Sequence, residues 1–433
     1  MNRLASLFFI LILTLGCSSE PVQEIQVTNS GNRNATPLPD SLAQNWPWWR
    51  GFYENGHMPG SEAPKEWTTS EGIRWQEKLP GSGHSSPVLW QDRLYLTTAI
   101  EDSEKKELLA FDRTTGKQQW QTTLHEGGWL GIHSKNTQAS ATPAIDGSRI
   151  YCAFMVTQND SSGIWVSAVD FEGNLLWQER AGPFVSQHGY GSSPILYQDL
   201  IIILGDNASN GFLAALSRET GEIIWRIKRP RMNNYSTPLV AKIAGRDQLI
   251  VHGAEQVISY NPNNGKEIWR YQGVAPTCAN TPVYDEDHVY VSGGYPKKEV
   301  TCIRADGEGD VTETHLVWKG RKSVAYVPSM LIDEDRLYSI SDNGIAICYD
   351  SATGNIHWQE RLAGATTASP ILVGEQIYFC DEKGSTYIVK ASDEYELIAE
   401  NFLDEAIFAT PVAFEGMLYL RTESSLFCLG PPR

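Results

Sequence analysis

Short apolar runs split by Asp, Asn, Gly and Glu alternate along almost the whole chain, and they recur as one unit every 40–55 residues or so, the signature of a stacked or radial array. Eight times a step centred on Ser, Thr and Pro leads into such a run: "SSPVLW" at Pro87, "ATPAID" at Pro143, "SSPILY" at Pro194, "STPLVA" at Pro238, "NTPVYD" at Pro282, "VPSMLI" with Met330 in the proline position, "ASPILV" at Pro370 and "ATPVAF" at Pro411. Eight residues on stands Tyr95, Tyr151, Tyr290, Tyr338, Tyr378 or Tyr419. Two β-rich runs broken by a polar turn read as a hairpin. A second hairpin follows, and in five units its turn glycine precedes a tryptophan by four residues: Gly116/Trp120, Gly173/Trp177, Gly221/Trp225, Gly265/Trp269 and Gly354/Trp358. Two hairpins per unit predict a four-stranded antiparallel sheet, and helical periodicity is confined to the extreme N-terminus.

The fold class is therefore all-β: an eight-bladed β-propeller of four-stranded antiparallel sheets, closed by N- and C-terminal strands. The last unit, "EGMLYLRTESSLFCLG", supplies only three strands, and "GIRWQEKL" around Trp75 is an orphan fourth strand ahead of the first unit. Pairing the two completes the ring. A parallel β-solenoid is the rival architecture, but its coils are shorter and do not carry paired hairpins with tight-turn glycines. The propeller is expected over 46–433.

The N-terminus is different in kind. Arg3 precedes an apolar run from Leu4 to Leu15, too short to span a bilayer and shaped like a secretory signal. "LTLGCSS" follows and resembles a bacterial lipobox, with Thr14 where Leu is usual; it implies a lipoprotein signal peptide over 1–16 and lipid attachment at Cys17. Residues 17–45 are rich in Ser, Asn, Gln and Pro without periodicity and are expected to form a lipid-anchored flexible tether. An exported protein, held at the cell envelope on the periplasmic face of one membrane by its lipid alone, is the resulting expectation.

Loss of the signal takes the formal charge from −17 to −18. So acidic a chain has no electrostatic footprint for nucleic acid, which sets that partner class aside. Six cysteines besides Cys17 do not read as a disulfide framework. Cys302, Cys348 and Cys428 fall in the third-strand column that holds Ala110, Ala168, Ala215 and Ser259 elsewhere, so they are expected as small core residues. No metal-ligand spacing occurs.

Repeats such as "LLAFDRTTGKQQW" and "AICYDSATGNIHW" resemble the PQQ-type propeller repeat, shared by quinoprotein alcohol dehydrogenases and by BamB-like lipoproteins of outer-membrane protein assembly. The stretch from "NWPWWRGFYENG" to "RLYLTTA" also resembles exported PQQ-like propellers of planctomycetes. The resemblance covers 46–430 and implies a fold more firmly than a function. Quinoproteins of this kind resemble one another in an adjacent cysteine pair, a tryptophan floor and acidic or amide ligands for Ca²⁺; no two cysteines are adjacent here, and no "CxxCH" haem site exists. No catalytic residue, cofactor or metal is expected; PQQ with Ca²⁺ belongs to the alternative, a PQQ-dependent dehydrogenase-like oxidoreductase. The leading expectation is a non-catalytic, monomeric binding scaffold.

Strand direction gives the functional face. With the proline-led strand innermost, one rim carries tight turns and the other carries the long segments 121–141, 178–191, 226–236 and 270–280. Binding residues gather on loops held by a rigid scaffold. His84, His133, Asn136, His188, Tyr190, Asn233, Tyr235, Asn280 and Tyr326 are the candidate contacts for an envelope protein, a peptide or a glycan, and a merely hydrated channel is the bland alternative.

Overall fold

Apolar residues on both faces of the inner strands require cover on both sides, and packing each sheet between two like neighbours provides it. The computed structural model describes residues 22–26, 36–58 and 62–431. It contains eight sheets in a ring: blade 1 (88–126), blade 2 (144–183), blade 3 (195–228), blade 4 (239–272), blade 5 (283–320), blade 6 (331–361), blade 7 (371–402) and blade 8 (412–429 with 73–78). Each blade has four antiparallel strands, and blades 4 and 7 each gain a short parallel fifth.

The repeat pattern has a specific packing cause. In blade 1 Tyr95 lies opposite Ala110, and Ala110 opposite Trp120; the same row is Tyr290–Cys302–Trp318, Tyr338–Cys348–Trp358 and Tyr419–Cys428–Trp75. The two rings approach to between 5.8 Å and 6.2 Å in blades 1, 2, 5, 6 and 8. A larger residue in the middle would meet both, which is why the column holds Ala, Ser or Cys. All six described cysteines are buried and none forms a disulfide, and Cys302, Cys348 and Cys428 are the small core residues that their column predicts.

Each tryptophan then docks on the next blade. The Trp120 indole N–H donates to the Phe171 carbonyl (3.0 Å), and those of Trp177, Trp225, Trp318 and Trp358 reach Arg218, Pro262, Ser351 and Ser392 in the same way. Where the neighbour has a turn glycine the ring lies on it: a Cβ on Gly221 would stand 2.6 Å from Trp177, and one on Gly354 2.6 Å from Trp318. The positive φ of these glycines (78° and 72°) is the second reason for their identity. Trp269 departs from the rule. Its N–H bonds Gln248 of its own blade (2.7 Å), and the blade 5 turn around Val311 folds back over it.

Closure runs through both termini, as the missing strand requires. Ile73–Lys78 pairs with Ser425–Leu429, and the Trp75 indole donates to Arg113 of blade 1 (3.0 Å) while its ring covers Gly116. Blade 7 has Ala399 in the tryptophan position. Trp67, 4% exposed, lies in the same apolar cluster, and its backbone N–H donates to the Asn401 side-chain carbonyl (2.8 Å).

A second ring joins the blades near the axis. In six of the eight steps the N–H of the hydroxyl residue before the proline position donates to the hydroxyl of its successor: Ser86 to Thr142, Thr142 to Ser193, Ser193 to Thr237, Thr281 to Ser329, Ser329 to Ser369 and Ser369 to Thr410, all at 2.9–3.0 Å. This explains the Ser/Thr–Pro step. Proline has no N–H to offer, so its predecessor supplies both donor and acceptor.

Two expectations change. Residues 17–45 were expected as one flexible tether, yet 22–26 lie extended along blade 3 through an antiparallel bridge between Ile25 and Arg226, and the turn at Asp40–Gln44 buries Leu42 against the propeller. The tight-turn rim is not bare either. Residues 45–58 cross it beneath the axis, bonding inner strands of blades 1, 2, 4 and 7: Trp46 N–H to Leu89 O, Ile145 N–H to Pro47 O, Val240 N–H to the Glu54 carboxyl, and His57–Met58 paired with Leu372–Val373. Arg50, fully buried, reaches the Met330 carbonyl of blade 6 (2.5 Å). The signal peptide and Cys17 lie outside the described residues.

This plug contains a pH-sensitive group. Burial raises the Glu54 carboxyl from 4.5 to about 8, against the opposing pull of the Val240 N–H. Because the folded value lies above the unfolded one, the associated stability is full below about pH 4.5 and is lost as pH rises through about 8. Glu54→Gln keeps an acceptor for Val240 and is expected to raise Tm by several degrees at pH 8.5 and little at pH 4.5. Equal shifts at the two pH values would show that the carboxyl does not titrate as its burial requires.

Candidate functional site

The plug turns the axial channel into a cup with a volume of about 550 Å³, open at the loop rim. Its walls follow one column of the repeat. Three residues before each proline position stand His84, Ser140, Gly191, Tyr235, Ala279, Val327, Thr367 and Phe408, and all eight line the cup. Beneath them come Ser193, Thr237, Ser369 and Thr410 of the hydroxyl ring. Trp49 from the plug forms the floor and donates its indole N–H to the Thr281 hydroxyl (2.8 Å). Alternate residues of an extended segment point opposite ways, so the residue between the two lining positions turns into the blades.

That parity sorts the sequence-derived candidates. His84, His133, Asn136, His188, Asn233, Tyr235 and Tyr326 line the cup. Asn280 does not. It lies one residue off the lining column, 2% exposed, with its amide bound to Ser292 and its carbonyl to His252 (2.9 Å). Tyr190 is also withdrawn, packed edge-on against Phe184 (5.5 Å) in the core. Trp49, Tyr295 and Phe408 complete the aromatic lining and were missed, although the −3 column would have indicated Phe408.

The mouth is shaped by contacts between blades. His133 and His188 face each other at 5.3 Å, and Tyr235 meets His188 edge-on at 5.7 Å. The Asn136 amide donates to the His188 carbonyl (2.5 Å), clipping the loop after blade 1 to that after blade 2. Asn233 is likewise engaged through its carbonyl oxygen by the Ala208 N–H (2.9 Å). Asp342 receives the N–H groups of Tyr326 and Val327 (2.9 Å and 3.0 Å). Lys135 leans over the opening to Glu382 of blade 7 (3.2 Å), whose carboxylate also takes the Thr367 hydroxyl.

Electrostatically the cup is unlike the acidic protein around it. Its lining contains three imidazoles and one ammonium but no carboxylate. His84 is stacked on Phe408 (4.6 Å), and burial, reinforced by the Arg421 charge, lowers it to about 4, so it is neutral at pH 7. Burial raises the Tyr326 phenol to about 12. The Cys152 and Cys278 thiols are pushed above their ordinary value by burial and serve as core residues.

The sequence profile of outer membrane protein assembly factor BamB matches residues 66–180, 133–360 and 297–397, so it spans most of the ring. The chain belongs to the BamB family of PQQ-like propellers. Within this family the outer membrane protein assembly factor BamB of Yersinia pestis is 22% identical over 374 residues, covering 83% of this chain and 86% of the relative. Among solved structures, the BamB of Moraxella catarrhalis overlaps 82% of this chain and 99% of its own at a TM-score of 0.59 and 13% identity. Quinohemoprotein alcohol dehydrogenase from Comamonas testosteroni gives 0.67 at 12% identity over 91% of this chain and 82% of its own. At such identities the structures speak for the fold alone. The repeat's tyrosine is absent from blades 3 and 4, and blade 7 has Ala399 where the other blades have tryptophan.

Proposed function

We propose that the protein is a non-catalytic scaffold of the bacterial cell envelope that works in envelope protein assembly, tethered through a lipid on Cys17 and contacting an envelope protein through the loop rim. The observation that carries this reading is the single mouth to which all eight blades contribute, on a chain whose BamB relative matches over most of both lengths. The exposed groups there, His133, Lys135 and Tyr295, with half-buried His188, offer a partner cationic, hydrogen-bonding and aromatic contacts. Tyrosine in particular offers a large apolar face with a polar tip.

The oxidoreductase alternative requires a quinone held with Ca²⁺. Calcium takes six to eight oxygen ligands, with carboxylates prominent among them, and the cup lining offers none. The residues present do not fit that group. Titrating the purified protein with PQQ and Ca²⁺ is expected to leave the quinone absorbance unchanged; a saturable spectral shift would favour the enzyme.

The scaffold reading is tested by cross-linking in the native membrane followed by purification of the captured protein. Alanine at His133, His188 and Tyr295 is expected to reduce capture at least five-fold at unchanged Tm. Alanine at Lys117 and Lys266, on the opposite rim, is expected to leave it intact. Loss of capture from the turn-rim variants alone would invert the functional face.

A further inference from the structure

We infer that the strand 22–26 fixes the lipid anchor at the loop-rim corner of blade 3 and so holds the cup's mouth beside the bilayer; this rests on the acylation of Cys17 proposed above. Ile25 and Arg226 exchange both backbone hydrogen bonds (2.9 Å and 2.8 Å) in antiparallel register. The Gln23 carbonyl takes the Arg226 Nε–H (2.8 Å), and the Glu24 carboxylate takes the Lys228 N–H (3.3 Å). Val22, 5% exposed, is buried in the same apolar cluster as Phe212 of blade 3. A segment with two ladder bonds, a guanidinium contact and a buried side chain is attached to the propeller, not trailing from it.

Direction then decides which rim faces the membrane. The outer strand Ile223–Lys228 starts after the tight turn at Gly221 and ends at the loop leading to Asn233 and Tyr235, so it rises toward the cup's mouth. The docked strand runs the opposite way, which puts Val22 at the mouth end and Gln26 toward the turns. Only residues 18–21 separate Cys17 from Val22. Five Cα–Cα steps reach at most about 18 Å, whereas a compact body of this length is roughly 50 Å across. The opposite corner, on the turns of blade 7, therefore lies far beyond the leash. Arg231 is exposed at the near corner, where Lys228 is paired with Glu24 of the docked segment (3.7 Å), and its charge eases the approach of an otherwise acidic protein to a phospholipid surface.

The full-length lipoprotein in vesicles of zwitterionic and anionic phospholipid carrying a headgroup-labelled acceptor tests this. Donor dyes are placed at Arg231→Cys or Glu394→Cys, the internal cysteines being buried. Energy transfer from position 231 is expected to be at least two-fold more efficient than from 394. Twelve Gly/Ser residues inserted after Glu20 should bring the ratio toward one without releasing the protein. Equal transfer in the parent protein, or a ratio insensitive to the insertion, overturns the inference. The mass of the N-terminal peptide separates the two readings: unmodified Cys17 removes the anchor itself, whereas acylated Cys17 with equal transfer removes only the orientation.

Discussion

A chain lacking residues 404–433 is expected to lose its cooperative unfolding transition and to accumulate in the insoluble fraction. Those residues supply three strands of blade 8, and with them go the partners of Ile73–Lys78 and of the Ser369 N–H, which bonds Thr410. Trp75, whose indole bonds Arg113, would lose the Cys428 row that positions it. Each ladder or docking bond is worth about 1 kcal/mol net, but opening the ring also exposes the apolar faces of blades 1 and 7 together. Thermal denaturation followed by circular dichroism checks this, and a truncated chain melting like the parent would refute closure through the termini.

The second large effect is expected at Arg229, which falls within the loop-rim segment 226–236. Its guanidinium is instead buried, with side-chain exposure of 1%, on the equally buried Asp206, held through Nε (3.1 Å) and Nη2 (2.8 Å) and by the Tyr260 hydroxyl (2.9 Å). Asp206 also takes the Asn234 amide (3.3 Å), and that amide bonds Ser236 and the His252 carbonyl. Arg229→Ala leaves the carboxylate without its countercharge and is expected to cost about 3–5 kcal/mol in urea denaturation. The double replacement Asp206→Leu/Arg229→Met removes both charges together and should recover most of that loss. A single variant within about 0.5 kcal/mol of the parent would mean that water reaches the pair.

What could be read from the sequence follows from what a repeat fixes. Strand number, blade boundaries, ring closure and the docking role of Trp120 or Trp358 depend on offsets within one unit, and these recur. The rim on which His133, His188 and Tyr235 meet depends on strand direction, which alternates through the four repeat strands of every blade. Side-chain orientation within a loop depends on single-residue parity, and there Asn280 and Tyr190 went astray while Ala279 and Tyr235, in the same column, face the axis. The plug could not be read at all. Its contacts are made largely by backbone groups of residues such as Leu89, Pro47 and Met330, and a carbonyl carries no side-chain signature. The docked strand at Ile25 was hidden for the same reason.

Because Trp75, Trp120, Trp177, Trp225 and Trp318 each sit on the turn glycine of the following blade and never the reverse, these blades have a donor side and an acceptor side. Such a contact is head-to-tail, and geometry alone decides whether it forms a closed ring or an open helix. In this chain the circle is complete within one molecule, so no sticky flank is left to meet its complement on a neighbour. Any lesion that parts blade 8 from blade 1 creates both flanks at once, each matched to the other flank of a second damaged copy. The same surface that makes one chain a ring makes many broken chains a filament.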